Sequence, residues 1–307
     1  MKIQINQAYS FSQQGKREYQ EDFRYPDTEQ ASEDQRFFVV CDGVGGSEKG
    51  EVASKTVCEA IGRSMAGFGY DQDFTSENFN KVLDDAYDAL DQVAGKEKCD
   101  MGTTMTFICF HAGGCTMAHI GDSRIYQIRP SEGIIYRSDD HSLVNSMVHN
   151  GMITPEEGLT HSQRNVITRF MEPVETDQNR CMATVMRTTD IKSGDYFLLC
   201  TDGVLHCISD DQLLEILMGD ESDEKKMHLM ADMSKESEDN NTAWLIAVAE
   251  VVADKDSVSE EQRDGNEVQP FTKRMKTKTR HLEEIESIQP KNENFKSWFN
   301  NLFKLKH

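Results

Sequence analysis

The chain has 307 residues, 54 acidic against 33 basic side chains and a net charge of −21, so it lacks the basic surface on which nonspecific nucleic-acid binding depends. A hydrophobic fraction of 37% is enough to pack one large domain or two small ones. No apolar run approaches the ~20 residues that span a bilayer.

Strands are predicted, in chain order, at Phe37–Cys41, Thr103–Phe110, Cys115–Ile120, Ile125–Arg129, Ile134–Arg137, Tyr196–Cys200 and Ala243–Val251. Amphipathic helices are predicted at Glu51–Met65, where Val52, Thr56, Ala60 and Ile61 recur at helical spacing, and at Glu77–Val93, where Phe79, Val82, Leu83, Ala86, Leu90 and Val93 do the same. Shorter helices are read at His141–Asn150, Asp210–Met218 and Ser222–Ser234. Several strands follow one another with only short connections, as in "TTMTFICFHAGGCTMAHIGDSRIYQIR", which favours antiparallel meanders over βαβ units. The expected architecture is α+β: two antiparallel sheets packed face to face with helices outside them.

A composition change at Val252 divides the chain into a folded domain (1–252), a charged linker (253–290) and a C-terminal segment (291–307). The linker contains "KRMKTKTR", five basic residues in eight, and has no core pattern. In the last segment Phe295, Trp298, Phe299, Leu302 and Phe303 fall on one face of a helix with four lysines around it. Such a helix suits a partner's groove, a membrane surface or the protein's own domain. The eight cysteines show neither a CxxC pair nor zinc spacing. They read as reduced core thiols, and the N-terminus has no signal-peptide character, so a cytoplasmic protein is expected.

The chemistry concentrates where strands end. "FFVVCDGVGG" at Phe37–Gly46 stops an apolar strand at an aspartate and then spends three glycines in four residues. "YFLLCTDG" at Tyr196–Gly203 repeats the pattern, and "HIGDSR" at His119–Arg124 supplies a third acidic junction. Hard divalent cations take oxygen ligands. A strand end holds a carboxylate in place, and a following glycine lets a backbone carbonyl approach a metal. Asp42 is therefore a candidate bridging ligand, with the Gly43 carbonyl as a second oxygen donor. "GKREYQEDF" at Gly15–Phe23 adds Glu21 and Asp22 close to Arg17, whose planar fork of donors suits a phosphate. "SEDNNT" at Ser237–Thr242 adds Asp239 and Asn240. Taken singly, each motif is more often an ordinary turn, helix cap or surface pair.

In order, "REYQED", "VVCDGVGG", "GTT", "GDSR", "RNVITR", "LLCTDG" and "SEDNNT" resemble the metal-dependent serine/threonine protein phosphatases of type 2C, the PPM family, over about residues 8–252, and in particular its compact bacterial branch. The resemblance implies an α-β-β-α sandwich that hydrolyses phosphoserine and phosphothreonine in proteins with a pair of Mn2+ or Mg2+ ions. By the same resemblance Asp42 bridges the ions, Asp202 and Asp239 complete one shell, and Glu21 and the Gly43 carbonyl serve the other. Arg17 clamps phosphate, Asp22 hydrogen-bonds the nucleophilic water and Asn240 supports Asp239. Asp122 either helps hold a weaker third ion or pairs with Arg124, and both readings stay open.

Three departures stand out. Val44 occupies the place where many eukaryotic relatives carry a proton-donating histidine. His206 stands where some relatives have an aspartate for the third ion, and "TRFME" differs from the usual "TRALG". His141, His149 and His161 fall in or beside the flap segment. They read as capping or packing residues, with a His161 contact to phosphate as the lesser alternative. The competing function is a phosphoprotein-binding pseudophosphatase, whose mark would be a missing metal carboxylate.

Overall fold

The computed structural model describes residues 1–44, 49–97, 100–174 and 179–252. The predicted linker and C-terminal helix (253–307) lie outside the described residues. In chain order the strands are β1 (Lys2–Ile5), β2 (Tyr9–Gln13), β3 (Phe23–Tyr25), β4 (Phe37–Cys41), β5 (Met105–His111), β6 (Gly114–Ile120), β7 (Arg124–Arg129), β8 (Gly133–Arg137), β9 (Thr184–Thr188), β10 (Tyr196–Cys200) and β11 (Asn241–Val252). The helices are α1 (Gly50–Met65), α2 (Ser76–Glu97), α3 (Leu143–His149), α4 (Pro155–Leu159), α5 (Asp202–Leu205), α6 (Asp210–Met218) and α7 (Asp223–Ser234). One sheet runs β1-β11-β10-β7-β8 with β2 also paired to β11, and the other runs β3-β4-β5-β6-β9. Every pairing is antiparallel.

Three apolar layers hold the sandwich together. Successive residues of β4 alternate between two of them. Phe37, Val39 and Cys41 pack with α1 and α2, while Phe38 and Val40 pack against the second sheet. β10 divides likewise: Phe197 and Leu199 face the inter-sheet core, and Leu198 and Cys200 face α5–α7. Strands buried on both faces need apolar residues at every position, which is why these two read as continuous runs. Phe38 and Trp244 meet across the sheets with ring centroids 5.0 Å apart. Among the described residues no helix is long and apolar enough to cross a membrane.

The differences from the sequence reading have local causes. The fifth strand begins at Met105 rather than Thr103, because the backbone N–H of Thr103 bonds the Met171 carbonyl and that of Thr104 the Asp42 carbonyl. The third helix begins at Leu143 because Ser142 caps it, its Oγ accepting from the Asn145 N–H. β1, β2, β3, β9, α4 and α5 were not predicted. They are short, and β1 and β9 bury little of themselves, so they carry almost no periodic signal. Trp244 is fully buried at the inter-sheet contact. Trp244→Ala is expected to cost about 3–5 kcal/mol, read as a lowered midpoint in equilibrium denaturation.

Candidate active site

Strand register brings the strand-end acids to one end of the molecule. Cys200 of β10 pairs with Ala243 of β11 and with Arg124 of β7. Asp202, Asp239 and Asp122 therefore emerge side by side. Gln13 of β2 pairs with Asn241, so the loop carrying Arg17, Glu21 and Asp22 starts beside Asp239. In the other sheet Phe23 pairs with Cys41, which sets Asp22 beside Asp42.

Backbone bonds then fix each acid. Asp42 is pinned by the "GTT" segment: its N–H donates to Thr104 Oγ1 (3.0 Å), and its carbonyl accepts from Thr104 N (2.8 Å) and Thr103 Oγ1 (2.9 Å). The Gly43 N–H donates to the Glu21 carbonyl (3.1 Å). A Cβ on Gly43 would lie 2.5 Å from the Gly50 carbonyl carbon and 2.8 Å from the Glu21 carbonyl oxygen, so only glycine fits between these segments. Asn240 fastens β11 to the Arg17–Asp22 loop. Its Oδ1 accepts from Glu21 N (2.8 Å), and its Nδ2 donates to the Gln14 and Tyr19 carbonyls (2.8 and 2.9 Å). Its own N–H donates to Asp239 Oδ1 (2.9 Å).

The charges are strongly frustrated without a counterion. Burial, then the fields of Asp22, Asp202, Asp122 and Asp239, push the Asp42 carboxyl well above the usual carboxylate range. Asp22 is pushed up to about 8, first by burial and also by Asp202 and Asp239, against the hydrogen bond of Thr201. Asp122 also rises to about 8, by burial and then by Asp202 and Asp140. Burial raises Asp202 and Glu21 too. Asp22 Oδ2 accepts from Thr201 Oγ1 (3.0 Å), whereas its buried Oδ1 has no partner.

An oxygen-only donor set, desolvated and self-repelling, with one buried oxygen unpartnered, fits hard divalent cations. Among the described residues no three His, Cys, Asp or Glu side chains close into a ready-made cage. Magnesium-like ions fit an open set, because they keep several waters and take few carboxylates. Asp42, Glu21, Asp202, Asp239 and the Gly43 carbonyl are the groups available to hold such ions.

Arg17 is half-exposed at the rim and donates through Nη2 to Asp239 Oδ2 (2.7 Å). The Asp122–Arg124 pair is not the one that forms. The Arg124 guanidinium bonds both oxygens of Asp140 (2.7 Å each), which leaves Asp122 facing the other acids. His206 Nε2 lies 3.8 Å from Asp202 Oδ2, and Val44 presents no polar atom. Sequence reasoning missed Thr201, which bonds Asp22 from the second sheet, and Thr242, whose N–H donates to Thr201 Oγ1 (3.0 Å). The available signal was a threonine directly before "DG" and another closing "SEDNNT".

A family model described as protein phosphatase 2C matches residues 15–248. The serine/threonine protein phosphatase PstP of Mycobacterium tuberculosis is 34% identical over 188 residues, covering 59% of this chain and 34% of PstP. The protein phosphatase PhpP of Streptococcus pneumoniae is 32% identical over 184 residues, covering 59% of this chain and 72% of PhpP. The match thus spans about a third of the length of PstP and most of PhpP. Among solved structures, the catalytic domain of PstP in complex with two manganese ions superposes with a TM-score of 0.66 at 27% identity. That match covers 81% of this chain and all of that one.

The raised carboxyls set the sign of the pH dependence of the metal-free protein. An unfolded Asp titrates near ~3.9, and folded Asp22 and Asp122 titrate at about 8. Their contribution is fully present below the unfolded value and is lost as pH rises through about 8. The metal-stripped protein is expected to melt lower near pH ~8.5 than near pH ~6, by at least the 2–4 °C that ~1 kcal/mol represents in a domain of this size. Asp22→Asn should flatten that loss, as read by thermal denaturation across pH.

Proposed function

The chain belongs to the protein phosphatase 2C family, and from that premise we propose that it hydrolyses phosphoserine and phosphothreonine in proteins at a dinuclear Mn2+ or Mg2+ centre. The observation that carries this reading is the cluster of buried Asp22 with half-buried Asp42, Asp202, Asp122 and Asp239, facing an exposed arginine. Asp42, Glu21, Asp202, Asp239 and the Gly43 carbonyl would hold the two ions, and Asp122 would serve a weaker third. When bound, a pair of such ions supplies a nucleophile from water near neutral pH and positive charge for the attacking and leaving oxygens.

The chain's own residues do the rest. Arg17 exchanges Asp239 for the phosphoryl oxygens, which its planar fork can hold in two places. The free Oδ1 of Asp22 accepts a proton from water, and Thr201 holds the carboxyl in line through Oδ2. Val44 has no proton to give, so the departing serine or threonine alkoxide takes one from water. All the carboxylates that this chemistry needs are present, and no observation favours a binding-only pseudophosphatase. The substrates are phosphoproteins of the kind that serine/threonine kinases produce, and the site of action is the cytoplasm.

Asp42→Asn and Asp202→Asn are expected to fold and to lose more turnover than the roughly 10–100-fold that a mutated outer-shell partner of a metal costs. The assays are Mn2+-dependent hydrolysis of para-nitrophenyl phosphate and of a phosphothreonine peptide. Chelation should abolish both activities and Mn2+ should restore them; full turnover in a thoroughly stripped sample would sink the mechanism. Val44→His is expected to raise turnover of the peptide more than that of para-nitrophenyl phosphate, whose leaving group needs no proton. Parallel rate measurements on the two substrates would show this.

A further inference from the structure

One side chain outside the acid cluster holds the turn that carries Asp122. The backbone N–H of Gly121 donates to His141 Nδ1 (3.1 Å), and the backbone N–H of His141 donates to the Gly121 carbonyl (2.9 Å). Both backbone polar groups of Gly121, the residue before Asp122, are thus satisfied by one residue. Gly121 itself has φ +104, and a Cβ there would lie 2.6 Å from the Thr104 side chain, so no side chain at that position can brace the turn.

The imidazole is in turn fixed on three sides. Because Nδ1 accepts, Nε2 carries the proton and donates to Thr184 Oγ1 (2.9 Å) at the start of β9. Its face stacks on His119 with centroids 4.5 Å apart and planes at 17°. The His141 carbonyl accepts from both the N–H (2.7 Å) and Oγ1 (2.9 Å) of Thr168, where the chain leaves the α3–α4 segment. The ring therefore joins the Asp122 turn to the edge strand β9, and the backbone carbonyl of the same residue joins them to the base of that segment. Arg124 is committed to Asp140 and does not hold Asp122.

We propose that His141 is a positioning residue for Asp122: its Nδ1 fixes the Ile120–Gly121 peptide that leads into Asp122, so that the carboxyl faces Asp42 and Asp202. This rests on the reading of the acid cluster as the phosphatase centre. The role is specific to one ring nitrogen, which makes it separable from packing. An asparagine places its Oδ1 near the position of His Nδ1, whereas a glutamine reaches the position of Nε2 and leaves the Gly121 N–H unpaired.

The experiment compares His141→Asn, His141→Gln, His141→Ala and Thr184→Val in the full chain, alone and with Asp122→Asn. The first readout is amide hydrogen exchange at the Gly121 N–H in metal-stripped protein. Protection should persist in His141→Asn, and should fall at least tenfold in His141→Gln and His141→Ala. The second readout is the kinetics of the Mn2+-loaded enzyme on para-nitrophenyl phosphate. His141→Gln and His141→Ala should lower kcat about tenfold or more with little change in KM, and His141→Asn should stay within about threefold of wild type. On the Asp122→Asn background the His141 substitutions should cost nothing further.

Equal losses in His141→Asn and His141→Gln would overturn the proposal in favour of ring packing. So would a His141→Ala loss that multiplies with that of Asp122→Asn. If His141→Ala fails to fold, Thr184→Val, which frees Nε2 and keeps the ring, should show the same pattern in weaker form, and wild-type exchange and kinetics there would count against the idea. The Asp42→Asn and chelation tests judge the phosphatase reading separately, because amide exchange in the stripped protein does not depend on it.

Discussion

Like charges do not gather in a buried site unless something other than their own interactions holds them there. At the end of this sandwich buried Asp22 and half-buried Asp42, Asp202 and Asp122 lie together and raise one another's pKa. The force that keeps them together is the rest of the fold: three apolar layers, two antiparallel sheets in fixed register, and a set of neutral hydrogen bonds behind the acids. The site is therefore a place where the rest of the fold offsets the mutual repulsion of the carboxyls.

The restraints share a design. Neutral side chains grip backbone rather than carboxylates: Thr103 and Thr104 on Asp42, Asn240 on Glu21, Gln14 and Tyr19, and His141 on Gly121. This fixes each Cα while leaving carboxylate oxygens free for ligands. Thr201 is the exception, since it bonds one oxygen of Asp22 directly and leaves the other bare. Arg17, bonded to Asp239, sits at the exposed rim of the cluster.

The sandwich was legible because β4 and β10 are buried on both faces and must be apolar throughout, and because α1 and α2 keep a helical stripe long enough to recognise. The edge elements were not. β9 has one ladder neighbour, β6, and half-exposed Met186, and α4 is a single capped turn, so pairing and capping outweigh pattern there. Asp42, Gly43, Asp202, Asp239, Glu21 and Arg17 were nameable because their motifs are contiguous and ordered.

What the sequence alone determined is the inventory: which acids stand at strand ends, which glycines follow them, and that Val44 cannot donate a proton. These are local properties that each segment carries wherever it lies. Only the tertiary structure decided the partnerships. Arg124 could have paired with its neighbour Asp122, but the β7–β8 hairpin returns Asp140 to it with both oxygens in line. His141 could have been any capping histidine, but the base of the α3–α4 segment and the edge of β9 close on it from opposite sides. Contacts of this kind join residues tens to hundreds of positions apart. Their geometry is fixed by strand register and layer packing, which no single stretch of the chain encodes.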